Sequence, residues 1–109
     1  MAVNYVSPII MTSINVGTLS GGYDVVNTGL TNPCFMLRIV NDSSEDIEIS
    51  FDGVVSHDYL VWGNTLQIYA QANAQPNGYV ANFRKGQPIY VKGAAGQGYI
   101  YVAAYYSRQ

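Results

Sequence analysis

The chain has 109 residues, a length typical of one domain with one hydrophobic core. Only 11% of the residues are charged, and apart from one adjacent pair the five cations are scattered, which argues against nucleic acid as a partner. The single cysteine excludes an internal disulfide and a multi-cysteine zinc site, and no apolar run is long enough for a membrane span.

The low charge also bears on association. Charged side chains are the usual guard against aggregation, so a chain that is 49% hydrophobic and 11% charged is expected to work in an assembled form. Residues 1–5 lack both the cationic region and the long apolar region of a secretory signal. We therefore expect the chain to be made and used without export.

The first thirty residues are the least regular part of the sequence. Residues 6–14 are compatible with a strand, residues 17–22 with a loop, and residues 23–26 with a second strand. Residues 1–12 are alternatively an extended arm that adds a strand to the sheet of a neighbouring molecule. The arm is more apolar than a free surface, through Val3, Tyr5, Val6, Ile9 and Ile10.

Two segments of alternating polarity follow, at residues 34–41 and 47–51. Successive side chains of a strand point to opposite faces, so the alternation predicts which ones lie in the core: Phe35, Leu37 and Ile39 in the first segment, and Ile47, Ile49 and Phe51 in the second. The polar residues 41–46 predict a tight turn, and hence an antiparallel hairpin between the two strands.

Three further strands are predicted at residues 65–71, 88–92 and 99–106. Leu66, Ile68 and Ala70 should point inward, and the glycine-rich residues 93–98 predict a second hairpin, between the last two strands. The last strand is apolar or aromatic on both faces. Either its tyrosines contact a partner subunit, or they cover the sheet with their hydroxyls in water.

These segments add up to about seven to eight short, mostly antiparallel strands, and helical periodicity is nearly absent. The sequence therefore predicts an all-β fold, a single β-sandwich or jelly roll. No linker or internal repeat divides the chain, so residues 1–109 are predicted to form one domain.

Catalytic chemistry finds little support. His57-Asp58 is the one pairing that suggests acid–base work, but neighbours on a strand point to opposite faces and no Gly-x-Ser-x-Gly motif is present. Asp42, Glu45 and Asp46 do not have the spacing of a calcium loop and fit a solvated turn better. We expect no catalytic residue, metal or cofactor.

Aromatic side chains raise a second possibility. Trp62 and the ten tyrosines would suit a carbohydrate-binding module, because flat rings stack on sugar faces. Aromatic residues also fill β cores and subunit interfaces, so this remains an alternative.

Several segments resemble small structural proteins of tailed bacteriophages. They read RIVNDSS at residues 38–44, IEISFDG at 47–53, HD at 57–58, KGQPIYVK at 85–92 and GYIYV at 98–102. The resemblance covers residues 38–106 and implies a compact β domain in the virion, without catalytic residues. The implied role is a capsid decoration or cement protein, or alternatively a head-to-tail or tail component.

The resemblance also implies partners. They would be the major capsid protein or other virion proteins, together with further copies of the chain in a homo-oligomer. The scattered cations and the lack of a long apolar run, and not the resemblance, argue against nucleic acid and membrane as partners. The expected contact residues are the apolar arm named above and a tyrosine face of the last strand, formed by Tyr99, Tyr101 and Tyr105.

Overall fold

A computed structural model describes residues 5–70 and 82–108, which form two antiparallel β-sheets. The strands are β1 (Tyr5–Pro8), β2 (Thr12–Asn15), β3 (Asp24–Asn27), β4 (Met36–Ser43), β5 (Ile47–Ser50), β6 (Asp58–Leu60), β7 (Thr65–Tyr69), β8 (Ile89–Lys92) and β9 (Gly98–Arg108). A short 3-10 turn, Val16–Thr18, follows β2.

Sheet A has the order β1-β9-β4-β7, and sheet B has the order β3-β8-β5-β6. β2 also pairs with β9, next to the stretch that pairs with β1. β1 and β2 therefore act as one edge strand that is interrupted between Pro8 and Thr12, and the sandwich has eight strands when they are counted together.

The pairing follows the pattern of a long hairpin rolled into two layers. The tip of this hairpin is the pair β5–β6. Moving outward from the tip, the next pairs are β4–β7, β3–β8 and β2–β9. Successive pairs alternate between sheets B and A. This is the topology of a jelly roll, and it confirms the predicted all-β fold.

Both predicted hairpins are wrong. β4 lies in sheet A and β5 in sheet B, and β8 and β9 are divided in the same way. The turn residues do reverse the chain, but the strands on either side pack face to face across the core instead of pairing edge to edge. A turn signal predicts reversal of the chain and leaves the pairing partner open.

The predicted inward positions are mostly confirmed. Leu37, Ile39, Ile47 and Ile49 are fully buried in the core between the sheets. Leu66 and Phe51 are half-buried and pack against the same core.

One inward assignment, Phe35, is wrong. Cys34 lies in the core and forms an isolated bridge with Phe83, two residues before β4 begins at Met36. The alternation is broken at this point, and Phe35 instead lines a groove on the outside of sheet A.

The connections between the sheets gather at the two ends of the sandwich. At one end, the loops after β2, β4 and β8 are joined by backbone hydrogen bonds from Gly96 N to Val16 O and from Ser44 N to Gln97 O. At the opposite end, Leu30 N donates to Gln87 O, and the Gln87 side chain donates to Phe51 O at 2.7 Å.

Candidate interaction face

The outward surface of sheet A carries an unusual set of side chains, and we call it face A. In β9 the residues Ile100, Val102 and Ala104 are buried in the core, which leaves the alternate residues of that strand pointing outward. Face A comprises Val6, Pro8, Met11, Ser13, Asn15, Phe35, Met36, Arg38, Val40, Asp42, Thr65, Gln67, Tyr69, Tyr99, Tyr101, Ala103, Tyr105 and Ser107.

The sheet register orders these side chains in rows across the strands. Met36 lies opposite Tyr105 and Tyr69, and one row further along Arg38 lies opposite Ala103 and Gln67. Val40 comes next, opposite Tyr101 and Thr65, followed by Asp42 opposite Tyr99. The centre of face A is thus built by β4 and β9, the two inner strands of sheet A.

Two shallow grooves cross face A. One of about 270 Å³ is lined by Met11, Arg38, Val40, Tyr101 and Ala103. The other, of about 370 Å³, is lined by Val6, Phe35, Met36, Arg38, Gln67, Tyr69 and Tyr105. Arg38 lines both grooves, so its cationic side chain stands between a largely apolar groove and one of mixed polarity.

Met36 shows how closely the outward side chains pack. It is only 7% exposed although it does not belong to the core between the sheets. The Gln67 side chain contacts its sulfur at 3.6 Å, and Tyr105 and Tyr69 lie on either side in the register. Around Met36, face A is therefore a packed apolar layer, whereas Tyr69 and Tyr99 nearer its margins are exposed.

Arg38 is the polar exception within this layer. Its Nε is buried and has no hydrogen-bond partner among the residues that the structure describes. A buried donor without an acceptor costs about 1–3 kcal/mol in free energy. Its cross-strand neighbours, Ala103 and Gln67, include no carboxylate.

The structure places the three predicted contact tyrosines of β9 together on face A. Tyr99 and Tyr101 are stacked, with ring centroids 6.0 Å apart, and Tyr105 lies beyond Ala103 on the same side. Tyr101 and Tyr105 are half-buried and Tyr99 is exposed.

The residues of the predicted arm lie along the edge of sheet A. Tyr5 and Val6 are exposed in β1, which pairs with β9 of the same chain. Ile9 packs against the core, whereas Ile10 is 89% exposed in the gap between β1 and β2. Val3 lies outside the described residues.

Sequence reasoning missed the contribution of β4 to face A. Met36, Val40 and the half-buried stem of Arg38 alternate with the core residues Leu37 and Ile39, so this strand is apolar on both faces, as β9 is. The signal that singled out the last strand was therefore also present in β4.

His57 has a structural role. Its Nδ1 accepts a hydrogen bond from the backbone N–H of Phe51 at 3.0 Å, and its Nε2 lies 3.8 Å from Asp52 Oδ2. A neutral ring whose Nδ1 accepts carries its proton on Nε2, on the side of Asp52. The nitrogen that a general base would need is thus occupied by the backbone, and the ring holds the β5–β6 connection in place.

Asp52 organises the same connection. Its Oδ1 accepts backbone hydrogen bonds from Val54 and Val55, and these bonds to the charged form lower the pKa of the carboxyl. Smaller contributions in the same direction come from Ser50 and His57. The arrangement stabilises a tight loop.

Trp62 lies at the end of the sandwich where sheet B passes to sheet A. It is 60% exposed, and Tyr59 nearby is 57% exposed. Asp46 holds both residues, because one of its oxygens accepts from the Tyr59 hydroxyl at 2.9 Å and the other from the Trp62 backbone N–H at 3.0 Å. The bond to Asp46 raises the pKa of Tyr59.

The three carboxylates of residues 42–46 are separated in the fold. Asp42 belongs to face A, Asp46 holds the Trp62 turn, and Glu45 lies next to Gly96. Among the described residues there is no group of three or more His, Cys, Asp or Glu side chains that could hold a metal ion.

Comparison of the sequence with models of known protein families gives no match, and comparison with curated proteins gives none either. Within residues 5–70 and 82–108, no helix is long and apolar enough to cross a membrane.

Proposed function

We propose that this protein is a non-enzymatic assembly component of a phage virion, in the role of a capsid decoration or cement protein. Face A and the neighbouring N-terminal edge strand make its contacts in the assembled particle. The observation that carries the proposal is the packed apolar layer that β4 and β9 place on the outside of sheet A.

Two properties of face A favour a protein partner. Aromatic residues, Met and Arg are enriched in the buried centres of protein interfaces, whereas Lys and Glu are depleted there. Face A combines Tyr101, Tyr105, Met36 and Arg38, and the described residues of this face include neither Lys nor Glu. A large apolar surface of this kind marks an interaction site on a soluble domain.

The placement in a virion rests on the resemblance to phage structural proteins. The segments that carry it contain β4, β5, β8 and β9, which are the inner strands of the two sheets. The resemblance therefore concerns the strands that build the fold more than the residues that would bind a partner. A head-to-tail or tail component is the alternative role within the same class of proteins. The partner would be the major capsid protein or another virion protein, in addition to copies of the chain itself.

The test is rebinding to particles. Virions that carry the chain are stripped of it and mixed with tagged wild type, Tyr101→Ser or Tyr59→Ser, and the bound fraction is measured by sedimentation. We expect the wild type and Tyr59→Ser to bind and Tyr101→Ser to bind at least tenfold more weakly. Tyr59 is a matched control because it lies in sheet B and is more exposed than Tyr101.

Two results would contradict the proposal: failure of the wild type to rebind, or equal binding of both variants. Circular dichroism of each variant shows whether it is folded. If Tyr101→Ser is unfolded, Ala103→Ser provides the same test with a smaller change, since Ala103 lines the same groove.

A second candidate function is carbohydrate binding at the Trp62 end. Two exposed aromatic rings, Trp62 and Tyr59, are tied to one carboxylate there, which would present flat apolar surfaces to a sugar. Glycan-array binding that is lost in Trp62→Ala and kept in Tyr101→Ser would favour it over the assembly role. An array without any bound glycan would count against it.

A further inference from the structure

We infer that the occupant of face A is face A of a second copy, related by a two-fold axis that runs across β4 over Val40 and brings Arg38 of each copy against Asp42 of the other. The inference rests on the proposed function and names the partner of that face.

The first step is the position of the two charges. Arg38 and Asp42 are the charged side chains that the described strands place on face A, and they lie on the same strand, β4. Asn41 between them is buried and bonds to backbone carbonyls on the core side, so Asp42 points outward as Arg38 does. Four residues of extended strand separate the two charges by roughly 13 Å.

The second step is symmetry. When two identical faces stack around a two-fold axis, residue i of one copy meets residue j of the other, and j meets i. An axis across β4 at Val40 reverses the strand direction, so position 38 meets position 42 and both contacts join opposite charges. An axis along β4 would instead place the two Arg38 side chains against each other, and buried like charges are strongly unfavourable.

The third step is the environment of the Arg38 guanidinium. Its Nε is already removed from water and lacks an acceptor within the described part of the chain, so the monomer bears the cost of its desolvation. Arg38 as a whole is half-buried and lines both grooves, so a carboxylate approaching along face A pairs with the guanidinium through its terminal N–H groups. Asp42 is exposed and is available for such a contact.

The fourth step is area. Four strands about 4.8 Å apart and about eight residues long cover roughly 500 Å² in each copy, or roughly 1,000 Å² in both, which is the lower limit for a specific interface. Face A is thus just large enough for a dimer. With so small an interface, the two charge pairs decide its orientation.

The experiment is a charge exchange measured by sedimentation velocity at a concentration where the wild type is a dimer. Arg38→Asp places carboxylates opposite carboxylates, and Asp42→Arg places guanidinium groups opposite guanidinium groups. We expect each single variant to be monomeric, with at least a tenfold weaker dimer. An equimolar mixture of the two should form a heterodimer, and the double variant Arg38→Asp/Asp42→Arg should form a homodimer again.

Asp58→Arg is the control for a change of net charge, because Asp58 is exposed and lies on sheet B. It should leave the dimer intact. Recovery of the dimer in the mixture or in the double variant also shows that the exchanged chains are folded.

The inference is overturned if the wild type is monomeric at every concentration, if the single variants dimerise as the wild type does, or if neither the mixture nor the double variant recovers. These results are separable from the rebinding test. A monomeric wild type that still binds particles through Tyr101 would leave the proposed function standing and reject the second copy as the occupant. A dimer that ignores the charge exchange would reject the arrangement around Val40.

Discussion

At the scale of single residues, two glycines with positive φ make very different demands on the fold. Gly98 begins β9 with φ of 103°, and an added Cβ would overlap the carbonyl oxygen of Asp42 and the Cα of Ser43. Gly63 has φ of 77°, but a Cβ there meets nothing within 4 Å. Both positions favour glycine, and only at Gly98 does a close backbone approach also require it.

We therefore expect Gly98→Ala to lower the free energy of unfolding by more than about 3 kcal/mol, because it adds a backbone clash to the cost of positive φ. Gly63→Ala should lower it by only about 1–2 kcal/mol, the cost of φ alone. Urea unfolding followed by circular dichroism measures both. Equal losses would show that the contact between β9 and β4 at Asp42 relaxes easily.

Asp52 gives a prediction on pH. Its pKa is lowered from the ordinary value of 3.8 in the folded chain, chiefly by the backbone N–H of Val54. Between the folded and unfolded pKa values the unfolded chain binds more protons, so this contribution to stability is complete above 3.8 and is lost as the pH falls through the folded pKa.

Asp52→Asn keeps an oxygen that accepts from Val54 but no longer titrates. Its unfolding free energy should therefore fall less than that of the wild type when the pH is lowered from neutral to below 3.8. Asp58→Asn is the control, because it removes an exposed carboxyl and leaves the Asp52 loop intact. If the unfolding free energy of Asp52→Asn fell with pH as much as that of the wild type, the pH dependence could not be assigned to Asp52.

At the scale of elements, the connection from β4 to β5 depends on one buried amide. Asn41 Nδ2 donates to Glu45 O at 2.9 Å and to Leu60 O at 3.0 Å, and so joins the turn to the end of β6. The chain passes here from sheet A to sheet B without strand pairing to guide it. Side-chain hydrogen bonds take over the role that a ladder has in a hairpin.

Asn41→Ala should lower the unfolding free energy by about 2–4 kcal/mol, because it leaves two carbonyls without that donor and opens a cavity. Asn64→Ala is the matched control, since Asn64 is exposed and makes one side-chain bond, to Trp62 O at 3.2 Å. It should cost less than about 0.5 kcal/mol. Thermal unfolding compares the two, and a small effect at Asn41 would mean that water replaces its amide.

The alternation of polar and apolar residues predicted some features of the strands and not others. Alternation identified the core positions of β4 and β5 correctly, because the side-chain period of a strand is local and independent of its pairing partner. It failed at Phe35, where the bridge at Cys34 precedes the regular strand. Alternation carries no information about which strand lies alongside, so both predicted hairpins were wrong.

At the scale of the whole molecule, the first two described strands pair with the last one. Tyr5 is paired with Arg108 and Thr12 with Val102, and β9 also pairs with β4. To form each of these pairings, the chain must first lose the entropy of closing a long loop, and only then gains the free energy of the contacts. The fold is therefore dominated by non-local contacts.

We expect refolding from urea to take milliseconds to seconds, the range of β-sandwiches with mostly non-local pairing. Stopped-flow circular dichroism measures the rate, and Asn41→Ala provides the comparison for the turn at the β4–β5 crossing. Refolding faster than a millisecond would show that local turns, and not the pairing of the first two described strands with the last one, limit the rate.

The sequence by itself determined the all-β class, most of the strands and most core positions, since these depend on turn residues and on a period of two along the chain. The tertiary structure alone decided the jelly-roll pairing and the composition of face A. Rows such as Val40 with Tyr101 join residues far apart in the chain, and their register is set by strand pairing. It also decided that Arg38 stands between two grooves without an acceptor for its Nε among the described residues, because burial of a donor depends on every strand around it.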